Sequence, residues 1–287
     1  MDKKLNIVYF SGTGGTERAA KCFESEFKSK GYETKLFHLK GTACFGYNEK
    51  APLLLLYPVY EMNAPAHVYD WLNSIEPVDN VPTMVISVSG GGETTPNLSC
   101  RKEAISVLES KGYTVTYENM LIMPLNVFFQ LNPRISKIII EALPAKVKAF
   151  AEEIDLGVSR RTTPKAFNKL LTRYGRLEGL KVKTCGKSFI ISNSCIGCGW
   201  CAKQCPTGNI SILDEKPSFA DKCNFCLSCI YGCSKKAIIP TKNKFAVIKQ
   251  GYSLKKLEEQ PAISYEETKT LTKGWLYGNF KKYISGI

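Results

Sequence analysis

LNIVYFSGTGGTERAAKCFESEFKSKG, residues 5 to 31, decides the fold. Its first six residues are a short apolar run, and the next six are glycines and hydroxyl residues. From Glu17 to Lys30 the spacing of Ala20, Phe23 and Phe27 places them on one face of a helix. Gly31 can take the left-handed conformation that closes a helix. A strand, a glycine turn and an amphipathic helix in immediate succession open an α/β unit.

The pattern continues outward. ETKLFHL, LLLLY, TMVISVS and VTYENMLI are four more strand candidates, and helices are expected over 66 to 74, 98 to 110 and 135 to 154. Pro144 is expected to kink or split the last of these. Five strands alternating with helices predict a doubly wound parallel sheet with its ligand crevice at the carboxyl ends of the strands.

Three loops fall at those ends. In SGTGGT, Ser11, Gly12, Thr13, Gly14, Gly15 and Thr16 combine bare backbone with hydroxyls at a helix N-terminus, which suits a phosphate. No Gly-Lys-Ser/Thr follows, so this is no Walker loop. Glu17 stands where a dinucleotide fingerprint needs its third glycine, so a terminal monophosphate fits better than a bridging pyrophosphate. The second loop, YPVYEMNAP, offers Pro58, Val59, Tyr60 and Asn63. The third, SGGGETTPN, offers Ser89, Gly90, Gly91 and Gly92. An aromatic wall and bare backbone are what a flat heterocycle requires. In these loops the chain resembles the flavodoxins. That resemblance implies a flavodoxin-like five-stranded fold and a bound FMN, with these fourteen residues as its contacts.

The second half has a different signature. CIGCGWCAKQCP from Cys195 and CNFCLSCIYGCS from Cys223 are both Cys-x2-Cys-x2-Cys-x3-Cys, 28 residues apart, with Ile210 matching Ile238 at the same offset. This is an internal duplication, each half a cysteine loop, a short helix and a strand. Structural zinc takes two separated pairs of ligands, whereas three thiols at successive x2 spacings wrap one iron-sulfur cube and leave the fourth for a neighbour. The expectation is crossed ligation of two [4Fe-4S] clusters: Cys195, Cys198 and Cys201 with Cys233, and Cys223, Cys226 and Cys229 with Cys205. This half resembles the bacterial two-cluster ferredoxins, including Pro206 after the fourth cysteine, although Ser234 replaces the usual second proline. Taken whole, residues 4 to 245 resemble the flavodoxin-domain ferredoxin fusions of anaerobic bacteria and archaea, whose PVY and MP segments correspond to residues 58 to 60 and 123 to 124.

Composition sets the remaining bounds. A chain of 287 residues holds about two domains. The expected division is a flavodoxin-like FMN domain over 1–156, a basic linker over 157–184, a small α+β ferredoxin domain over 185–245, and a tail over 246–287 in which little is readable. The linker is read as a helix bounded by Pro164 and Gly175 that either serves only as a spacer or docks a partner. Of the twelve cysteines, eight crowd into the duplicated segment. The opening MDKKLNIVYFSGTGG carries no signal-peptide cleavage pattern, so a reducing cytoplasm is expected. No apolar stretch approaches the roughly 20 residues of a membrane span, so no membrane insertion is expected. The formal charge of +13 would fall to roughly +7 with two clusters and a flavin phosphate bound. What remains either keeps a solvated surface soluble or steers an acidic redox partner. Cys22, Cys44, Cys100 and Cys185 are read as buried or free thiols, Cys100 lying close after the glycine loop. His38 and His67 are read as structural.

These features point to an electron-transfer protein passing electrons between FMN, two [4Fe-4S] clusters and a redox protein. The alternative is a flavin-dependent reductase of a quinone, an unsaturated compound or a nitro compound, fed by the clusters. A zinc-bearing nucleic-acid binder is disfavoured by the cysteine spacing, so nucleic acid is not an expected partner. No Ser-His-Asp or Cys-His arrangement marks a catalytic residue.

Overall fold

A computed structural model describes residues 3–40, 47–48, 50–263, 265–272 and 278–284. Five parallel strands, β1 (Lys4–Tyr9), β2 (Glu33–His38), β3 (Leu53–Pro58), β4 (Val81–Ser89) and β5 (Tyr113–Ile122), form one sheet in the order β2-β1-β3-β4-β5. This is the flavodoxin-like doubly wound order. Side chains alternate across it. Leu5, Ile7, Tyr9, Leu54 and Leu56 face a core shared with α1 (Gly15–Ser29) and α4 (Pro133–Asp155). Val8, Phe10, Leu53, Leu55 and Tyr57 face a core shared with α2 (Ala66–Ser74) and α3 (Lys102–Ser110). Each fully buried leucine or phenylalanine contributes about 1.5–3 kcal/mol, so the run Leu53–Leu54–Leu55–Leu56, buried on both faces, ties the two layers together.

Three expectations need correction. α4 runs through Pro144 as one helix of 23 residues. Pro144 itself is exposed, so its ring lies on the outer side of the helix and does not enter the core. Helix α5 (Ala166–Lys181) likewise continues through Gly175. A Cβ at Gly175 would lie 1.9 Å from the Glu61 carbonyl oxygen, so this glycine is a close-packing point and ends nothing. The helix expected over 98 to 110 divides into a 3-10 turn, Asn97–Ser99, and α3.

The segment from Gly157 to α5 is held to the sheet: Arg160 bridges Tyr117, its N–H donating to the Thr116 carbonyl and its carbonyl accepting from the Glu118 N–H. Beyond α5, strand β6 (Ile190–Ile191) pairs antiparallel with β9 (Ile238–Ile239), and β7 (Ile210–Leu213) with β8 (Lys216–Phe219). Helices α6 (Trp200–Gln204) and α7 (Ser228–Tyr231) follow the cysteine loops. Ile210 and Ile238, matched by the duplication, are both buried.

The tail is structural. Ile248, Tyr252, Leu254 and Leu257 complete the core beneath α1 and α4, with Leu254 and Leu257 carried on α8 (Leu254–Glu258). Arg18 of α1 pairs with Glu258, the Tyr252 hydroxyl donates to the Pro124 carbonyl, and the Tyr231 hydroxyl donates to the Asn126 carbonyl while accepting from the Ile248 N–H. Tail, cysteine segment and sheet therefore share one packed seam. Among the described residues no helix is long and apolar enough to cross a membrane.

Candidate functional site

Because β1, β3 and β4 are neighbours in the sheet, their carboxyl ends bring the three predicted loops side by side. In the first, Gly14 adopts φ 92° as the N-cap of α1, and no side chain caps that helix. Its first-turn N–H groups are left for a ligand to satisfy. The Ser11 hydroxyl accepts from the Gly14 N–H at 3.2 Å and shapes the turn. The Thr13 hydroxyl accepts from Asn126 at 2.9 Å, and Thr16 is buried. An uncapped helix end lined by glycine backbone and hydroxyls fits a terminal phosphate.

In the second loop, the Val59 N–H donates to the Val88 carbonyl, continuing the ladder in which Pro58 faces Val88. Tyr60 and Asn63 exchange two backbone hydrogen bonds around Glu61 and Met62, both left-handed at φ 46° and 58°. Such non-glycine conformations cost about 1–3 kcal/mol each and persist only where surrounding contacts impose them. Here Asn63 supplies those contacts. Its amide donates to the Glu61 and Thr172 carbonyls and its oxygen accepts from Tyr69, so this buried side chain anchors α5 and is turned from the crevice.

In the third loop, the Ser89 hydroxyl accepts from the Gly91 N–H and from Asn97, and Gly92 takes φ 74°. Gly90 admits Leu125, whose Cδ2 would sit 2.2 Å from any Cβ there. Beneath the loop, buried Arg101 donates to Glu118 at 2.7 Å, to Ser87 at 2.9 Å, to Thr162 at 3.0 Å and to Glu93. Burial raises the Glu93 carboxyl, but Arg101 and Arg160 outweigh it, leaving the net shift downward. This network, invisible in the sequence, fixes the third loop against the sheet and the linker.

The cysteines divide unequally. Cys205, Cys223, Cys226 and Cys229, all half-buried, line one apolar cavity together with Phe189, Phe219 and Phe225. Cys205 belongs to the first run, yet it stands with three cysteines of the second. Burial pushes the Cys226 thiol up to about 12 and Cys223 to about 11, with Cys205 among the charges that add to both. Cys229 is raised as well, by burial and then by Cys226, Cys223 and Cys205. At neutral pH these thiols hold their protons until metal displaces them. Backbone N–H groups already face the sulfurs: Asn209 to Cys205 and Phe225 to Cys223, each at 3.3 Å. Thiols in an apolar cage with N–H donors suit a [4Fe-4S] cluster.

The other four include the one exposed thiol of the eight. Cys198 is exposed, and Cys195, Cys201 and Cys233 are half-buried, as Cys205, Cys223, Cys226 and Cys229 also are. Burial raises Cys201, with smaller additions from Cys195 and Cys198, and the Ala237 N–H donates to Cys233 at 3.3 Å. Among the described residues no three His, Cys, Asp or Glu side chains converge as donors to a single ion.

The two halves meet at Gly12. A Cβ on that residue would lie 2.6 Å from the Cβ of Cys226 and 2.8 Å from the Tyr60 hydroxyl. The first and second loops therefore abut Cys226 directly. Burial, and then Cys226, Tyr252 and Cys223, keep the Tyr60 phenol protonated. Sequence reading missed Tyr60 as a contact to the cysteines, and it missed Asn126, Tyr231 and Tyr252, which pin the seam. Only the tyrosine within the second cysteine run offered a signal.

The remaining residues fall elsewhere. Cys100 is buried and donates to Ser87, Cys22 is half-buried on α1, and Cys185 is buried against Phe189 and Ile238. Cys44 lies outside the described residues. His38 stacks on Tyr9, and His67 leans on Phe10.

Residues 189–211, which include all four cysteines of the first run, match the family model described as a 4Fe-4S binding domain. Solved structures similar to the N-terminal half include a flavodoxin from Streptococcus pneumonia TIGR4 (14% identity over 54% of this chain and 99% of that chain, TM-score 0.40). Flavodoxin 2 from Bacillus cereus is 18% identical over 53% of this chain and 98% of its own, with TM-score 0.40. A flavo di-iron protein from Thermotoga maritima is 14% identical over 54% of this chain and 36% of its own, with TM-score 0.35. No curated protein matches the chain. The flavodoxin-like assignment rests on the strand order itself.

Proposed function

We propose that this chain is an electron-transfer protein in which FMN and two [4Fe-4S] clusters exchange electrons with a redox protein partner. The observation that carries this reading is the packing of Cys226 against Gly12 and Tyr60, which joins the phosphate-type loop to the second cysteine run. When bound, FMN would supply one- and two-electron chemistry and the clusters one-electron chemistry.

The residues have separable tasks. The N–H groups of 15 to 17 with Thr13 and Thr16 would hold the phosphate. Tyr60 and the backbone of 89 to 92 would border the ring. Phe189, Phe219 and Phe225 line the space around Cys205, Cys223, Cys226 and Cys229, and the Asn209 and Phe225 N–H groups would stabilise their thiolates once metal is bound. The other set, with Cys198 exposed, is the end a partner can reach.

The reductase reading would gain from a substrate pocket bordered by the three loops. The described cavity of about 360 Å³ is instead walled by α2 and the cysteine segment, including His67, Trp71, Thr207 and Asn224. The test is anaerobic mixing of the reconstituted protein with NADH or NADPH while flavin absorbance is followed. Slow or no bleaching until a redox protein is added is expected, because Glu17 breaks the only glycine pattern that resembles a dinucleotide site. Rapid stoichiometric bleaching by nicotinamide alone would overturn the carrier reading.

A further inference from the structure

Helix α5 is inverted. The face it turns to the protein is polar or small: Asn168, Thr172 and Gly175 are buried, and Asn168 accepts from the Thr95 hydroxyl at 3.1 Å. The opposite face is apolar and open, with Phe167, Leu170, Tyr174 and Leu177 exposed by 62, 64, 59 and 56%. Their spacing, i, i+3, i+7 and i+10, makes one continuous stripe, the anchor pattern of a helix that packs against another helix or a groove. An amphipathic surface helix ordinarily buries such a stripe in its own core. This one keeps its core face for hydrogen bonds and stacks Arg176 on the Tyr69 ring at 3.4 Å.

Beside the stripe runs a row of cations. Lys165, Lys169 and Arg173, at i, i+4 and i+8, are exposed and make no ion pair among the described residues. The neighbouring basic residues are committed: Arg160 to Glu93, Arg161 to Glu109, Arg176 to Glu103 and Lys181 to Glu178. The open charge is therefore all of one sign and lies on one flank. A second copy meeting this face would bring its own arginine and lysine row against the first. A bilayer would be served by cations on both flanks, but the other edge carries Leu171 and Glu178.

We infer that the outward face of α5 docks a partner protein through an amphipathic helix whose apolar seam is bordered by a row of acidic residues. The inference stands apart from the flavin and cluster reading, since none of its residues is a predicted cofactor contact. Docking here also reaches the second loop, because α5 packs on Glu61 and Asn63 from its inner side.

The test uses the full chain, prepared anaerobically, and a fluorescent peptide with leucine at a and d and glutamate at e and g of each heptad. Saturable binding is expected, weakening as salt rises. It should weaken about tenfold in Leu170→Gln, in Tyr174→Gln and in Arg173→Glu. These side chains are exposed, so iron content and far-UV circular dichroism should be unchanged. No peptide binding, or equal binding by the three variants, overturns the inference. So does a concentration-dependent dimer in light scattering that the same variants abolish. Sedimentation with phosphatidylglycerol vesicles in place of peptide binding also overturns it, by assigning the face to a membrane.

Discussion

The two cysteine runs are the same word in the sequence and different places in the structure. Both read Cys-x2-Cys-x2-Cys-x3-Cys. One set, Cys205 with Cys223, Cys226 and Cys229, is half-buried around an apolar cavity and meets Gly12 through Cys226, while the other includes the exposed Cys198. A duplicated motif repeats the ligand chemistry, but its surroundings come from whatever packs on it. Here the crevice end of the sheet meets Cys226 of the second run at Gly12, and the tail holds that seam through Tyr252.

The largest expected consequence is all-or-none. Cys205→Ala should cost about four of about eight irons per chain, removing the cluster whose other ligands are in the second run. Iron and sulfide assays with electron paramagnetic resonance would show which centre survives. Survival of the Cys223, Cys226 and Cys229 centre would break the comparison.

Next, burial penalises the extra negative charge of a reduced cluster, so the enclosed centre should reduce at a more negative potential, by on the order of 100 mV. A redox titration monitored by electron paramagnetic resonance measures both. Equal midpoints would mean that the enclosure leaves potential untouched.

Gly12→Ala should destabilise the chain by about 1–3 kcal/mol, because the new methyl has only Cys226 and Tyr60 to displace. Gly91→Ala, whose nearest neighbour would be Asn97 at 3.5 Å, is the matched control and should be near neutral. Chemical denaturation of both variants sharpens the claim that the seam closes at Gly12.

The smallest effect is on assembly. Cys226 and Cys223 are raised to about 12 and about 11, so at neutral pH their protons must leave as iron enters. Loading of the enclosed set should rise with pH through the mildly alkaline range more steeply than loading of the exposed set. Anaerobic reconstitution followed in visible absorbance, with Cys205→Ala isolating the exposed centre, tests the sign.

Much of this was legible in the sequence for identifiable reasons. Strand and helix periodicity is local, so all five strands and α1 to α4 could be read near their observed places. Spacing in a cluster motif is local too. The seam was hidden because it joins Gly12, Tyr60, Asn126, Cys226, Tyr231 and Tyr252 over more than half the chain, with no repeat to mark them. α5 was misread at Gly175 because glycine serves both as a helix stop and as a close-packing point. Only the Glu61 carbonyl lying against it decides which. Pro144 misled likewise, since its cost depends on which face of α4 meets water.

The most direct test of the central claim is diffraction from anaerobically grown crystals, located on the anomalous signal of iron. Two cubane centres are expected, one bound by Cys205, Cys223, Cys226 and Cys229 and lying against the Gly12 loop. A density at zinc's edge, or Cys205 ligating with Cys195, Cys198 and Cys201, would contradict it.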